Sequence, residues 1–248
     1  MTSLLTNSPI EFSPIGVVHS PYKEKFAIPR QPGLVTAAKG SIEFNHDLPA
    51  NEMIDGLANF SHIWVIFVFH QTQEFGWKAK VKPPRLGGNQ KIGVLATRST
   101  FRPNAIGMSA IKLDSIETGS TTRLHVSGLD LLDNTPILDI KPYIPYSDTV
   151  VNSTAGFAET APTADNIVEF SEQACHFIEQ QRKSVAELQQ VIEQVLQQDP
   201  RPAYRQGKPD EKTYGMALFD FNIRFRFTSL HKICVEAIDM NTNQTHTI

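Results

Sequence analysis

Phe60-Ser61-His62-Ile63-Trp64-Val65-Ile66-Phe67-Val68-Phe69-His70 carries the apolar run Ile63 to Phe69. That run falls far short of the roughly 20 residues that cross a bilayer, and its β-branched and aromatic residues read as a buried strand. Working outward, similar short runs recur with Gly, Pro, Asn and Asp between them: Gly16 to Ser20, Val35 to Phe44, Lys91 to Thr97, Ala110 to Glu117, Thr122 to Gly128 and Ile137 to Tyr143. With Ile63 to His70 these make seven expected strands, and one short helix is expected over Asn51 to Leu57. So many strands with so little helix point to a barrel or a sandwich.

The texture changes after Tyr146. A polar linker over Ser153 to Asp165 precedes two stretches of helical spacing, Asn166 to about Gln180 and Arg182 to Gln198, with Thr163 or Asp165 as the expected cap. Val185, Leu188, Val191, Ile192, Val195 and Leu196 form one apolar stripe, the mark of a core or interface face. Asp199 to Asp210 is a Pro-punctuated loop. Leu218 to Thr228 then alternates, with Phe219, Phe221, Ile223, Phe225 and Phe227 on one face as an expected core, and Lys232 to Asp239 returns as its hairpin partner.

The 248 residues suffice for one large domain or two smaller ones. The N-terminus lacks a basic segment followed by an apolar core, so neither export nor membrane insertion is expected. Cys175 and Cys234 are the only cysteines, expected as buried small hydrophobes, and they suit a reducing cytoplasm. No metal-ligand cluster is evident and no metal is expected. The net charge of -3 conceals segregation: Gly76 to Arg102 holds Lys78, Lys80, Lys82, Arg85, Lys91, Arg98 and Arg102 with no acid. Composition alone fits a solvated lysine-rich loop equally well, but a polyanion responds to the local field rather than the net charge.

The run Ala96-Thr97-Arg98-Ser99-Thr100-Phe101-Arg102-Pro103-Asn104-Ala105-Ile106-Gly107-Met108-Ser109 places two guanidinium groups, a Pro-Asn turn and a glycine behind an apolar strand. Planar guanidinium forks suit carboxylate or phosphate, and Pro103 with Gly107 fix an irregular backbone. There is no GxGxxG and no alternation of strands and helices, so a Rossmann-type cofactor site is not expected.

Three strings accompany that run: Asp55-Gly56-Leu57 with Phe60 to Trp64, Asp133-Asn134-Thr135-Pro136-Ile137-Leu138-Asp139-Ile140-Lys141-Pro142-Tyr143, and Asp199-Pro200-Arg201-Pro202-Ala203-Tyr204. Together, and over nearly the whole chain, they resemble the TrmO (YaeB-like, TsaA-like) family of β-barrel tRNA methyltransferases. Ala105 stands where that family usually has a second Pro.

The resemblance implies a mainly β fold: an N-terminal single-sheet antiparallel β-barrel over 12–152 and a smaller α+β C-terminal domain over 153–248. The implied activity is S-adenosylmethionine-dependent N6-methylation of N6-threonylcarbamoyladenosine at position 37, in the anticodon stem-loop of tRNA, by a cytoplasmic homodimer. Cofactor contacts are implied at Pro29, Arg30, Gln31, His70, Gln71, Arg98, Met108, Gly128, Leu129, Asp130 and Leu131. Asp133, Asn134 and Tyr143 are the candidates to orient the acceptor nitrogen, whose delocalised lone pair makes it a weak nucleophile. Residue type nominates Lys80, Lys82, Arg85, Arg102, Arg201, Tyr204, Arg205, Arg224 and Arg226 for RNA. A non-catalytic RNA-binding module and a methyltransferase with another acceptor are the alternatives.

Overall fold

The computed structural model describes residues 9–202, 205–206 and 212–241. Its first part contains the strands β1 (Gly16–His19), β2 (Lys39–Phe44), β3 (His62–Val68), β4 (Lys80–Val81), β5 (Ile92–Gly93), β6 (Ile106–Glu117), β7 (Arg123–Ser127) and β8 (Pro136–Pro142). Six of them close an antiparallel barrel in the order β1-β2-β7-β6-β3-β8, with β8 pairing back to β1. Alternation builds the barrel core: Ile63, Val65 and Phe67 of β3 are buried inside it, as are Ile111, Leu124, Val126 and Ile137.

The expected strand over Lys91 to Thr97 does not join the barrel. Only Ile92 and Gly93 form strand, pairing with β4 in a separate two-stranded ribbon, and Val94 to Ala96 coil into a 3-10 turn. The chain leaves the barrel at Phe69 and returns at Ala105, where the Phe69 amide donates to the Ala105 carbonyl at 2.8 Å. Val35 to Ala38 form a turn, so β2 starts at Lys39. The short helix is a single turn, α1 (Ala50–Met53), followed by Gly56 at φ +80° and a 3-10 turn, and another single turn, α2 (Pro145–Asp148), follows β8.

The second part holds a four-stranded sheet ordered β10 (Thr213–Leu218), β11 (Phe221–Ser229), β12 (Lys232–Met240), β9 (Ile167–Phe170). Here two expectations fail. Ile167 to Phe170 was expected to be helical and instead runs parallel to β12, because its β-branched and aromatic residues suit a pleated face. The helix α3 (Glu172–Gln181) starts after it, capped by Ser171, whose hydroxyl accepts from the Ala174 amide at 3.1 Å. Neither Thr163 nor Asp165 is the cap.

The second helix, α4 (Leu188–Gln197), begins later than expected, but Leu188, Val191, Ile192, Val195 and Leu196 are all buried. The strand run expected from Leu218 to Thr228 breaks at Phe219, whose φ of +54° makes the turn between β10 and β11, while Phe221, Ile223, Phe225 and Phe227 form the expected core face. Cys175 is exposed and Cys234 half-buried, so neither is the buried hydrophobe expected.

The two parts share one core. Tyr22 from the barrel is fully buried and bridges to Leu218, the Phe219 amide donates to the Pro21 carbonyl at 2.6 Å, and the Ala37 amide donates to Gln194 of α4 at 3.0 Å. Among the described residues no helix is long and apolar enough to cross a membrane.

Candidate active site

Strand register places the site. His19 opposite Ser41, Lys39 opposite Ser127, Lys112 opposite Ser127, Val68 opposite Ile106 and Phe67 opposite Ile137 bring three connections to one rim of the barrel: 20–38, 69–105 and 128–135. Nearly every expected cofactor residue lies on this rim.

Glycine lets the rim close. Gly33 and Gly128 have φ of +78° and +68°, and the Gly33 amide donates to the Gly128 carbonyl at 2.8 Å. Inside the barrel, a Cβ on Gly107 would fall 2.4 Å from the Phe67 ring and 2.8 Å from that of Phe69. The two rings meet edge to face, 5.2 Å apart, over the space that this glycine leaves.

Asp130 is the unusual group. Its Oδ1 is sealed from solvent and has no hydrogen-bond partner. Burial pushes its carboxyl up to about 6, against hydrogen bonds from Ser109 and its own backbone amide and the charge of Arg98. The Tyr22 hydroxyl is likewise buried without a partner, and burial, then the charge of Asp130, raise its pKa. Such groups are costly in an apolar interior unless something completes their bonding. Arg98 donates from Nη1 to Gln31 Oε1 at 2.5 Å, tying two of the rim connections together. Pro29 is buried beside exposed Arg30, which lies within electrostatic reach of Asp199 and Arg85. His70 opens the 3-10 turn His70–Phe75, and burial holds its imidazole below the ordinary value. Gln71 is exposed beside it.

Other expected contacts sit differently. Leu129 and Leu131 are fully buried core residues, and Met108 points outward from β6, 55% exposed. Among the described residues no group of three or more His, Cys, Asp or Glu is placed to hold a metal ion.

Comparison with known proteins agrees with this architecture. The model of the tRNA-methyltransferase O N-terminal domain matches residues 17–149, and that of the TrmO C-terminal domain matches residues 163–241. The chain belongs to the TrmO family. It is 47% identical over 222 residues to the tRNA (adenine(37)-N6)-methyltransferase of Escherichia coli K12, covering 89% of this chain and 94% of that protein. It is 49% identical over 219 residues to a putative S-adenosylmethionine-dependent methyltransferase, RcsF, of Pseudomonas aeruginosa PAO1, covering 87% and 91%. The crystal structure of TrmO from Pseudomonas aeruginosa superposes with a TM-score of 0.78 at 38% identity, covering 96% of this chain and all of that one.

The three acceptor candidates do not converge in this TrmO-family chain. Asp133 accepts from the Ser20 amide at 2.8 Å, pairs with Lys23 at 2.7 Å and accepts from the Asn134 side chain at 3.0 Å. With φ of +60° at Asn134, the pair shapes the turn into β8 at the rim. Tyr143 lies at the far end of β8, where its amide donates to the His62 carbonyl and its ring packs 5.6 Å from Trp64. Six residues of strand separate it from Ile137, roughly 20 Å at the usual rise, so one chain cannot bring all three to a single acceptor.

The RNA candidates divide as well. Lys80 and Lys82 are exposed, and Arg85 reaches the Thr160 carbonyl at 2.6 Å. Arg102 braces its own loop through the Thr97 carbonyl at 2.7 Å. Arg201, nominated for RNA, is 2% exposed, paired with Asp199 at 2.8 Å and stacked 3.4 Å over the Phe227 ring. Arg224 pairs with Asp239 and Arg226 with Glu236. Arg205 follows Arg201 in the same turn, and Tyr204 lies outside the described residues.

Sequence reasoning missed Tyr22, Gly33 and Ser109. Ser109 had a readable signal, since it alternates in phase with the inward Ile111 and Leu113. Tyr22 had none.

Proposed function

We propose that the chain is an S-adenosylmethionine-dependent tRNA (adenine(37)-N6)-methyltransferase whose acceptor already carries the N6-threonylcarbamoyl group. The observation that carries the reading is the match to the Escherichia coli enzyme through both segments of the chain. The rim fits the cofactor: the unpartnered Asp130 Oδ1 suits an ammonium or a ribose hydroxyl, Arg98 with Gln31 suits a carboxylate, and the Gly33–Gly128 crossing keeps side chains out of the way. Bound at the rim, S-adenosylmethionine would supply an electrophilic methyl group for N6, whose proton is released to solvent. The protein's part is alignment. Asp133, held by three donors, fixes the 128–135 connection and with it the direction of Asp130. Arg30, His70 and Gln71 complete the wall on the side of the basic excursion.

We assign 12–152 to the barrel domain and 153–248 to the C-terminal domain. A homodimer is supported by the outer wall of β3 and β6, where Ile66 lies opposite Met108 and Val68 opposite Ile106, and where Met108 and Ile106 are exposed. Tyr143 and Met108 face away from the rim of their own chain, and in such a dimer they have a partner's surface to meet. A tRNA substrate and two unpaired cysteines fit a reducing, cytoplasmic setting.

Nucleoside mass spectrometry after reaction with tRNA bearing or lacking the threonylcarbamoyl group tests the substrate. Methyl transfer is expected only to the carbamoylated adenosine, and equal methylation of plain adenosine rejects this acceptor.

A further inference from the structure

The excursion from Phe69 to Ala105 carries features that the cofactor reading does not use. Trp77 is 59% exposed, Phe75 65% and Leu95 76%, all on the arm that bears the β4–β5 ribbon. The Val94 amide donates to the Ala79 carbonyl and the Lys78 amide to the Phe101 carbonyl, so backbone bonds hold Trp77 next to Phe101 and the Val94–Ala96 turn. The side chains nearby are cationic. Lys78 sits 4.2 Å over the Phe101 ring, Lys80, Lys82 and Lys91 are exposed, and no acid occurs between Gly76 and Arg102.

A protein interface is depleted in lysine at its core, whereas aromatic faces set among lysines and arginines match a single-stranded nucleic acid, with bases for the rings and phosphates for the charges. We infer that Trp77, with Phe75 beside it, is a stacking platform for bases of the anticodon loop. The inference rests on the tRNA reading above. Adenine 37 has to leave the loop stack for its N6 to reach a methyl donor at the rim, and the neighbouring bases it deserts need another surface. His70, on the rim, opens the short 3-10 helix that ends at Phe75, so the platform stands beside the site where the adenine is needed.

The test measures binding of an anticodon stem-loop carrying the threonylcarbamoyl group, over a range of salt, to the full-length protein and to Trp77→Ala, Trp77→Phe and Phe75→Ala. Trp77→Ala is expected to weaken binding by about 5- to 150-fold, the span for losing one stacked base. The slope of log affinity against log salt stays unchanged because no phosphate contact is lost. Trp77→Phe restores most of the affinity, and cofactor binding and melting temperature match wild type. Wild-type affinity in Trp77→Ala, with wild-type protein still methylating tRNA, overturns the platform and leaves the enzyme standing. Failure of the wild-type protein to bind or methylate tRNA overturns the reading on which the platform rests. Loss of the dimer in Trp77→Ala by light scattering, at unchanged stem-loop affinity, gives the face to a second copy of the chain and also overturns the platform.

Discussion

Gly76 to Arg102 and Asp199 to Lys232 each contain seven basic residues, and the fold uses the two sets in opposite ways. In the C-terminal set Arg201 is buried against Asp199 and Phe227, Arg224 pairs with Asp239 and Arg226 with Glu236. In the loop set none pairs with a carboxylate among the described residues: Lys78 faces a ring, Arg85 and Arg102 face carbonyls, and Arg98 faces an amide oxygen. The carboxylates near the rim divide in the same way. Asp133 is fully engaged, while Asp130 keeps one oxygen unpartnered. Charge neutralised within the fold holds the fold together, and charge left unneutralised makes a field for something outside it. Counting bases along the chain cannot separate the two.

The contrast is tested most severely at Arg201. If it is structural, Arg201→Ala strands Asp199 and uncovers the Phe227 ring, and costs about 3 to 4 kcal/mol of unfolding free energy, near the low end for breaking a buried pair because Asp199 keeps some solvent. Denaturant titration measures this. A variant of wild-type stability that binds tRNA weakly returns Arg201 to the RNA-binding set.

Asp130 gives the next largest effect. Its carboxyl is raised from 3.8 to about 6 in the fold, so between those pH values the folded state holds the extra proton. Stability contributed by this group is therefore full below about 4 and falls as pH rises to about 6, by about 2 to 3 kcal/mol in all. Asp130→Asn is expected to remove that decline, leaving the variant more stable than wild type at pH 7 but weaker in calorimetric binding of S-adenosylmethionine. A variant that gains no stability and keeps full cofactor affinity removes Asp130 from the site.

What the sequence made legible follows from the range over which each feature is decided. The absence of acids from Gly76 to Arg102 is local, and so is the Phe and Ile alternation of β11; both were readable. The burial of Arg201 depends on Phe227, and the unpartnered oxygen of Asp130 on how Ser109 and Tyr22 approach across the barrel, so neither was. Asp133 and Tyr143 lie far apart for a related reason. A strand turns ten residues of sequence proximity into opposite ends of a barrel. The helix expected at Ile167 failed because pairing with β12 outweighed a spacing that suits either element.

The loop set itself predicts a change in salt dependence. Replacing Lys80, Lys82 and Arg85 together with Ala should lower the slope of log affinity against log salt by about 2, at roughly 0.7 to 0.9 per phosphate contact, and weaken tRNA binding about tenfold at physiological salt. Cofactor affinity should stay at the wild-type value. An unchanged slope removes this segment from the footprint.

The smallest expected effect is the sharpest control. Arg224 and Arg226 have side chains about half exposed, each facing a carboxylate across the strand pair. Such surface pairs contribute about 0 to 1 kcal/mol, because water already solvates both partners and salt screens them. Their paired charge also offers little to a phosphate, since an RNA contact first has to displace Asp239 or Glu236. Replacing both arginines with Ala should therefore shift the denaturation midpoint little and leave the salt slope of tRNA binding unchanged. A slope lower by about 1 or more per arginine would mean that the carboxylates give way to phosphate. The C-terminal sheet would then share the footprint with the loop, and the division between paired and free charge would describe only the protein without its RNA.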